Sequence, residues 1–238
     1  MTDAVSLTPS YKARRGELET YFDRTAVDAW ARLTTTAPVS RIRATVRAGR
    51  DSMRDQILQW LPDDLSGRRI LDAGCGTGAF AVEAARRGAD VLAIDLSATL
   101  VSLARERTPR DLGKGSISFE VGDMLDKTLG SFDHVVAMDS LIHYSTPDVV
   151  RSLAGISGRT SQSILFTFAP RTLLLGAMYN VGKLFPRSDR SPAIVPVPET
   201  DLVNRISRAP EMAAWVVNDT MRVSRGFYTS QVMELRRR

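Results

Sequence analysis

The stretch from Arg69 to Phe80, R-I-L-D-A-G-C-G-T-G-A-F, leaves this chain few folds to choose from. An apolar run (Ile70, Leu71) enters a tight turn at Gly74, Gly76 and Gly78, and a helical pattern leaves it. A second apolar run, V-L-A-I-D, ends at Asp95, about twenty residues after the turn, where a βαβ nucleotide unit carries its ribose-binding acid. Residues without side chains let the backbone come close to a ligand, and an acid at the tip of the second strand can grip two ribose hydroxyls. A G-x-G turn alone is weak evidence, because many strand-to-helix turns contain glycines.

Strand and helix signals alternate on both sides of this turn, which predicts a mostly parallel sheet with helices on both faces. Strands are expected near 69–73, 90–95, 117–121, 134–138 and 162–168. Helices are expected near 78–87, 98–107, 148–155 and 172–183. Two further runs, Trp215–Val223 and Phe227–Leu235, read as strands joined at Arg225-Gly226. Ahead of the turn, residues 1 to about 14 read as loose and polar. A helical pattern starts at Arg15 and carries Leu18, Tyr21, Phe22, Val27 and Trp30. These aromatics either staple an arm to the core or lie over a large apolar ligand. Val39 to Leu61 reads as one long helix that Pro62 ends. The chain thus divides into an N-terminal helical arm or lid (1–64) and a main domain (65–238). Residues 183–198 hold four prolines and read as a long excursion over the surface.

The segment L-D-A-G-C-G-T-G resembles motif I of class I S-adenosylmethionine (SAM) methyltransferases, and its G-x-G-x-G spacing differs from the dinucleotide pattern. Asp95 and the G-D-M of Gly122–Met124 fall where that superfamily has its second and third motifs. The resemblance implies a Rossmann-like fold closed by an antiparallel last strand, with SAM as cofactor and S-adenosylhomocysteine (SAH) as product. It also implies cofactor-binding roles. Gly74, Gly76 and Gly78 would line the methionine end, Asp95 would take the ribose diol, and Asp123 the adenine amino group with the Met124 N–H nearby. Asp72 would brace the turn. Leu96 and Asp139 would border the pocket or serve the fold alone.

Beyond the fourth strand, V-V-A-M-D-S-L-I-H-Y-S-T-P contains His143, one of two histidines. Class I enzymes place the acceptor there, so His143 reads as functional, His134 as incidental and Tyr144 as core. The arm E-L-E-T-Y-F-D-R-T-A-V-D-A-W, the helix R-I-R-A-T-V-R-A-G-R, M-D-S-L-I-H-Y and T-F-A-P-R-T-L-L-L together resemble the magnesium-protoporphyrin IX O-methyltransferase family of chlorophyll and bacteriochlorophyll synthesis. That resemblance implies methylation of one porphyrin propionate, with Tyr21 and His143 as the catalytic pair. The macrocycle would sit against Tyr21, Phe22, Trp30 and residues 172–185, and Arg171 would attract the second propionate. The family also implies the porphyrin-binding subunit of magnesium chelatase as a partner. The rival readings are a methyltransferase for a quinone-type molecule and a non-catalytic protein that delivers SAM or porphyrin.

Composition narrows the remaining classes. The 238 residues carry a net charge of +5, with the excess in the last third and a terminal Arg236-Arg237-Arg238. That asymmetry suits an anionic substrate or a peripheral contact with the photosynthetic membrane. No RNA-binding signature accompanies it, so no nucleic-acid partner is expected. One cysteine, Cys75, excludes an intramolecular disulfide and a cysteine-rich metal site, so no metal ligands of the protein's own are expected. The start of the chain has no apolar signal segment, which points to the cytoplasm.

Overall fold

In the computed structural model, residues 8–24, 41–171 and 193–238 are described. The expected elements at Trp30 and 172–183, and most of the proline-rich stretch, lie outside them. The described chain runs α1 (Pro9–Arg24), α2 (Arg41–Trp60), β1 (Arg69–Ala73), α3 (Ala79–Arg86), β2 (Asp90–Asp95), α4 (Ala98–Arg107) and β3 (Ser116–Val121). It continues with β4 (Phe132–Ala137), α5 (Thr146–Ser157), β5 (Thr160–Phe168), α6 (Glu199–Arg208), β6 (Trp215–Arg225) and β7 (Tyr228–Arg237). The strands form one seven-stranded sheet in the order β3-β2-β1-β4-β5-β7-β6. The first five are parallel, and β7 pairs antiparallel with both β5 and β6. This is the class I methyltransferase fold anticipated from the motifs.

Alternation along the strands explains the layering. Leu71, Val135, Ile164 and Phe166 join one buried cluster, which includes Leu153 and Ile156 of α5 and Leu202 and Ile206 of α6. Ile70, Val136 and Leu165 point the other way, into a cluster with Met53 and Ile57 of α2 and Phe80 and Ala81 of α3. Successive strand residues face opposite sides, so the two clusters are the two faces of one sheet. The order in which the parallel strands are added switches sides between β1 and β4, and the carboxyl ends of those two strands open a crevice.

The N-terminal boundary differs from the sequence expectation. Helix α1 begins at Pro9 and not near Arg15. Its first turn is anchored outside the helix: Thr8 Oγ1 and Ser10 Oγ donate to the Asp148 carboxylate at 2.8 and 3.0 Å. Tyr11 is buried and stacks on Tyr144 with ring centroids 5.0 Å apart. Those partners lie about 135 residues away along the chain, so no local pattern announces them. Among the described residues, no helix is long and apolar enough to cross a membrane.

Candidate active site

The glycine turn that follows β1 is built from three left-handed residues, Gly74, Gly76 and Gly78, at φ 88°, 54° and 78°. Its backbone donors are turned inward: the Gly74 and Cys75 N–H groups donate to the Ile94 carbonyl at 2.8 and 3.0 Å. Gly76 N–H donates to Asp95 Oδ2 at 2.8 Å. The loop therefore ties β1 to β2 and does not present a nest of N–H groups, as a phosphate would require. What the glycines supply is room. A Cβ on Gly76 would meet no protein atom within 4 Å, so that face of the turn can lie against a ligand. Gly78 has a different task, because a Cβ there would touch the Phe119 ring at 3.1 Å. It caps α3 and lets β3 pack close. Cys75 is buried, and burial pushes its thiol well above the usual range, so it fills space as expected.

Asp72 and Asp95 stand behind and beside this turn. Asp95 accepts the Ser97 N–H at 2.9 Å with its other oxygen, and burial raises its pKa. Asp72 is fully buried, and one of its oxygens has no partner among the described residues. Burial and the neighbouring Asp95 charge push its pKa from 3.8 to about 7, against a lowering contribution from the Ala81 N–H. Folding thus takes up a proton at Asp72 between about pH 4 and pH 7, so its contribution to stability falls as pH rises through that window. Asp72→Asn cannot ionise. In denaturant titrations without ligand, the stability of the variant relative to wild type is expected to rise across that window by a few kcal/mol, on the order set by the shift. A difference flat with pH would show that Asp72 stays ionised.

One cavity of about 700 Å³, counting the space at its open mouth, gathers most of the residues singled out from sequence. Gly74, Gly76, Asp95, Leu96, Asp123, Met124, Asp139 and His143 all line it. Asp72, Gly78 and Tyr21 do not. Tyr21 is half-buried and meets Phe22 edge-on at 5.2 Å, and Phe22 in turn faces His143 at 6.1 Å. His143 ends a short 3₁₀ turn (Leu141–His143) after β4 and is buried. Its Nδ1 stands 3.3 Å from the Ala193 carbonyl, which accepts from it when that nitrogen carries the proton. Val195 N–H donates to the Ile142 carbonyl at 2.9 Å, so the segment from 193 braces the same turn. His134, by contrast, is locked against Ser163 Oγ at 2.7 Å inside the sheet.

The sequence anticipated Phe22 of α1 against the ligand, but not the part that Tyr11 plays in this wall. Tyr11, Leu18 and Phe22 line the cavity from that helix, and Tyr144 serves both cavity and core. Tyr11 donates its hydroxyl to Asp123 Oδ1 at 2.9 Å, and Arg15 donates to Asp123 Oδ2 at 3.0 Å. Burial raises the Tyr11 pKa, so it stays a donor. Arg159 donates to the carbonyls of Met124 and Asp126 and so fixes the loop after β3. The i, i+7, i+11 spacing of the three lining residues is the one signal that could have marked this face.

Comparison with known proteins then gives the family. A family model described as "Magnesium-protoporphyrin IX methyltransferase C-terminus" matches residues 137–237, and a general methyltransferase-domain model matches 70–160. The magnesium-protoporphyrin O-methyltransferase of Rhodobacter capsulatus is 51% identical over 227 residues, covering 95% of this chain and 98% of that protein. The chain belongs to the magnesium-protoporphyrin O-methyltransferase family. The SAH-bound crystal structure of magnesium protoporphyrin IX methyltransferase from Synechocystis shares 26% identity and superposes with a TM-score of 0.82, over 94% of this chain and all of that one. A ubiquinone biosynthesis O-methyltransferase of Xanthomonas oryzae is 32% identical, but over only 65% of this chain and 63% of its own length. The matches thus take in the cavity residues from Met138 to Tyr144 as well as the glycine turn.

Proposed function

We propose that the protein transfers the methyl group of SAM to a propionate carboxylate of magnesium protoporphyrin IX, giving the monomethyl ester and SAH. The observation that carries this reading is the family match through residues 137–237, the stretch that includes His143 and the residues after β4. A likeness confined to the glycine turn would have left the substrate open, and the quinone-type relative covers too little of the chain to favour that alternative.

The residues present suit SAM. An inward-turned glycine loop has no call for phosphate, while Asp95 and Asp123 offer acceptors to hydroxyl and amino donors along one cavity. When bound, SAM supplies an electrophilic sulfonium methyl. The acceptor carboxylate is ionised at neutral pH and needs no general base. The chain's task is therefore to hold that carboxylate in line with the methyl and keep water out, and positioning of this kind accounts for most of the acceleration. His143 is the residue placed to do so, with an imidazole hydrogen bond to one carboxylate oxygen. The apolar wall of Leu18, Phe22, Met138 and Tyr144 excludes water and suits a flat macrocycle. Tyr21 acts as its companion from the arm. Because Tyr21 reaches the cavity through its edge-on ring contact with Phe22, Tyr21→Ala is expected to lower kcat/KM for the porphyrin about tenfold and leave SAH affinity unchanged. Steady-state kinetics beside SAH calorimetry would check this, and an unchanged kcat/KM would remove Tyr21 from the reaction.

A peripheral membrane contact belongs to this proposal as an extension that the basic last third of the chain supports, and a chelatase subunit as partner as one that rests on the family resemblance. The decisive test is methyl transfer from labelled SAM to magnesium protoporphyrin IX, beside metal-free protoporphyrin and a catechol quinone precursor. Base-labile ester on the magnesium porphyrin is the expected result. Label on the catechol alone would overturn it.

A further inference from the structure

The end of β4 holds an unusual arrangement. Among the described non-glycine residues, Asp139 is the one with positive φ, at 56°, a conformation that an aspartate tolerates at some cost. Three elements grip it. Tyr228 of β7 donates its hydroxyl to Oδ1 at 3.0 Å. Thr167 of β5 accepts the Asp139 N–H at 2.7 Å and donates back to Oδ1 at 3.3 Å. Arg50 of α2 brings Nη1 to 3.7 Å from Oδ2. Helix α2 can come this near because residue 49 is glycine: a Cβ there would sit 2.4 Å from Tyr228 Cδ1. Glycine inside a helix costs about 1 kcal/mol relative to alanine. Here it lets the helix ride over the tyrosine ring and sets Arg50 beside the acid.

The position of Arg50 in the cavity gives this arrangement a use. The lining includes the carboxylates of Asp95, Asp123 and Asp139. Arg50 is the one described lining residue with a permanent positive charge. A ligand carboxylate entering beside Asp139 would meet a like charge in a partly desolvated space, where such repulsion is strong. The guanidinium reverses that sign. It also offers a planar fork of donors that matches a carboxylate and can serve it while still facing Asp139.

We propose that Arg50 is a carboxylate-binding residue of this cavity, aimed by Gly49, Tyr228 and Asp139 acting as positioning residues. The inference rests on the methyl-transfer reading, under which carboxylates arrive from two sources: the amino-acid end of the cofactor and the propionates of the acceptor. Arg50→Met keeps the length of the side chain and removes the charge. Calorimetry on the full chain would compare SAH with 5′-methylthioadenosine, which lacks the amino-acid portion, and kinetics would give KM for magnesium protoporphyrin IX. If Arg50 holds the cofactor end, SAH affinity falls about tenfold to a hundredfold, while methylthioadenosine binds within twofold of wild type. If it holds the acceptor, SAH is unchanged and the porphyrin KM rises by a similar factor. Either result supports the proposal. All three values within twofold would overturn it. So would an equal loss for SAH and methylthioadenosine, the mark of a disturbed fold. Tyr228→Phe should weaken the same carboxylate ligand about threefold to tenfold, and the double variant should be no weaker than Arg50→Met alone. Additive losses would show that Tyr228 does not act through Arg50. A binding titration of magnesium protoporphyrin IX beside the two nucleosides needs no turnover, so the three affinities read out Arg50 even if the porphyrin is not methylated.

Discussion

Gly74→Ala is expected to destabilise the protein by about 3 kcal/mol and to abolish measurable SAH binding. Two costs combine at this position. The residue sits at φ 88°, where a Cβ costs roughly 1–2 kcal/mol. That Cβ would also lie 2.4 Å from Ser140 Cβ and 3.1 Å from its Oγ, and relieving such overpacking costs about 1–3 kcal/mol. Ser140 belongs to the segment that carries Asp139 and His143, so the clash pushes the glycine turn and the acceptor side apart. Differential scanning should record a fall in Tm of roughly 6–12 °C for a chain of this size. A variant with wild-type Tm and SAH affinity would mean that the two segments do not meet as described.

His143→Ala is expected to lower kcat about a hundredfold with SAH affinity held within threefold. The imidazole is not needed to remove a proton, so its value lies in aligning an ionised acceptor, and misplacing reacting atoms by about 1 Å costs that much. Its neighbours make the case for alignment. The ring is buried, faces Phe22 and rests against the Ala193 carbonyl, a setting that fixes its direction. Single-turnover kinetics on magnesium protoporphyrin IX would isolate the transfer step. A kcat within threefold of wild type would leave His143 a purely structural residue. A matching loss of SAH affinity would instead make it part of the cofactor wall.

Much of the site was readable before the fold was known, and for a common reason. Gly74, Asp95 and Asp123 lie at the ends of β1, β2 and β3, and each is announced by a short apolar run followed by the residue that the turn requires. His143 follows β4 in the same way. Parallel βαβ units bring successive strand ends to one edge, so local patterns sufficed to place these residues together. The same logic made Gly78 look like a cofactor residue; Gly78 lies outside the cavity lining, and a Cβ there would crowd the Phe119 ring. The turn's backbone, expected to come close to a ligand, has its Gly74, Cys75 and Gly76 N–H groups bonded to Ile94 and Asp95.

The sequence by itself thus determined the mostly parallel sheet, its antiparallel last strand, the residues at the strand ends, and the family to which the chain belongs. Tertiary structure alone decided which distant side chains brace the cavity between the ends of β1 and β4. Tyr11 and Arg15 reach Asp123 across more than 100 residues. Tyr228 reaches Asp139 across 89, and Arg50 comes to the same acid from α2. Such contacts depend on where helices cross the sheet, which is set by the packing of two apolar faces and by one missing Cβ at Gly49. A linear pattern carries the periodicity of each face but not which distant side chain will lie across from it.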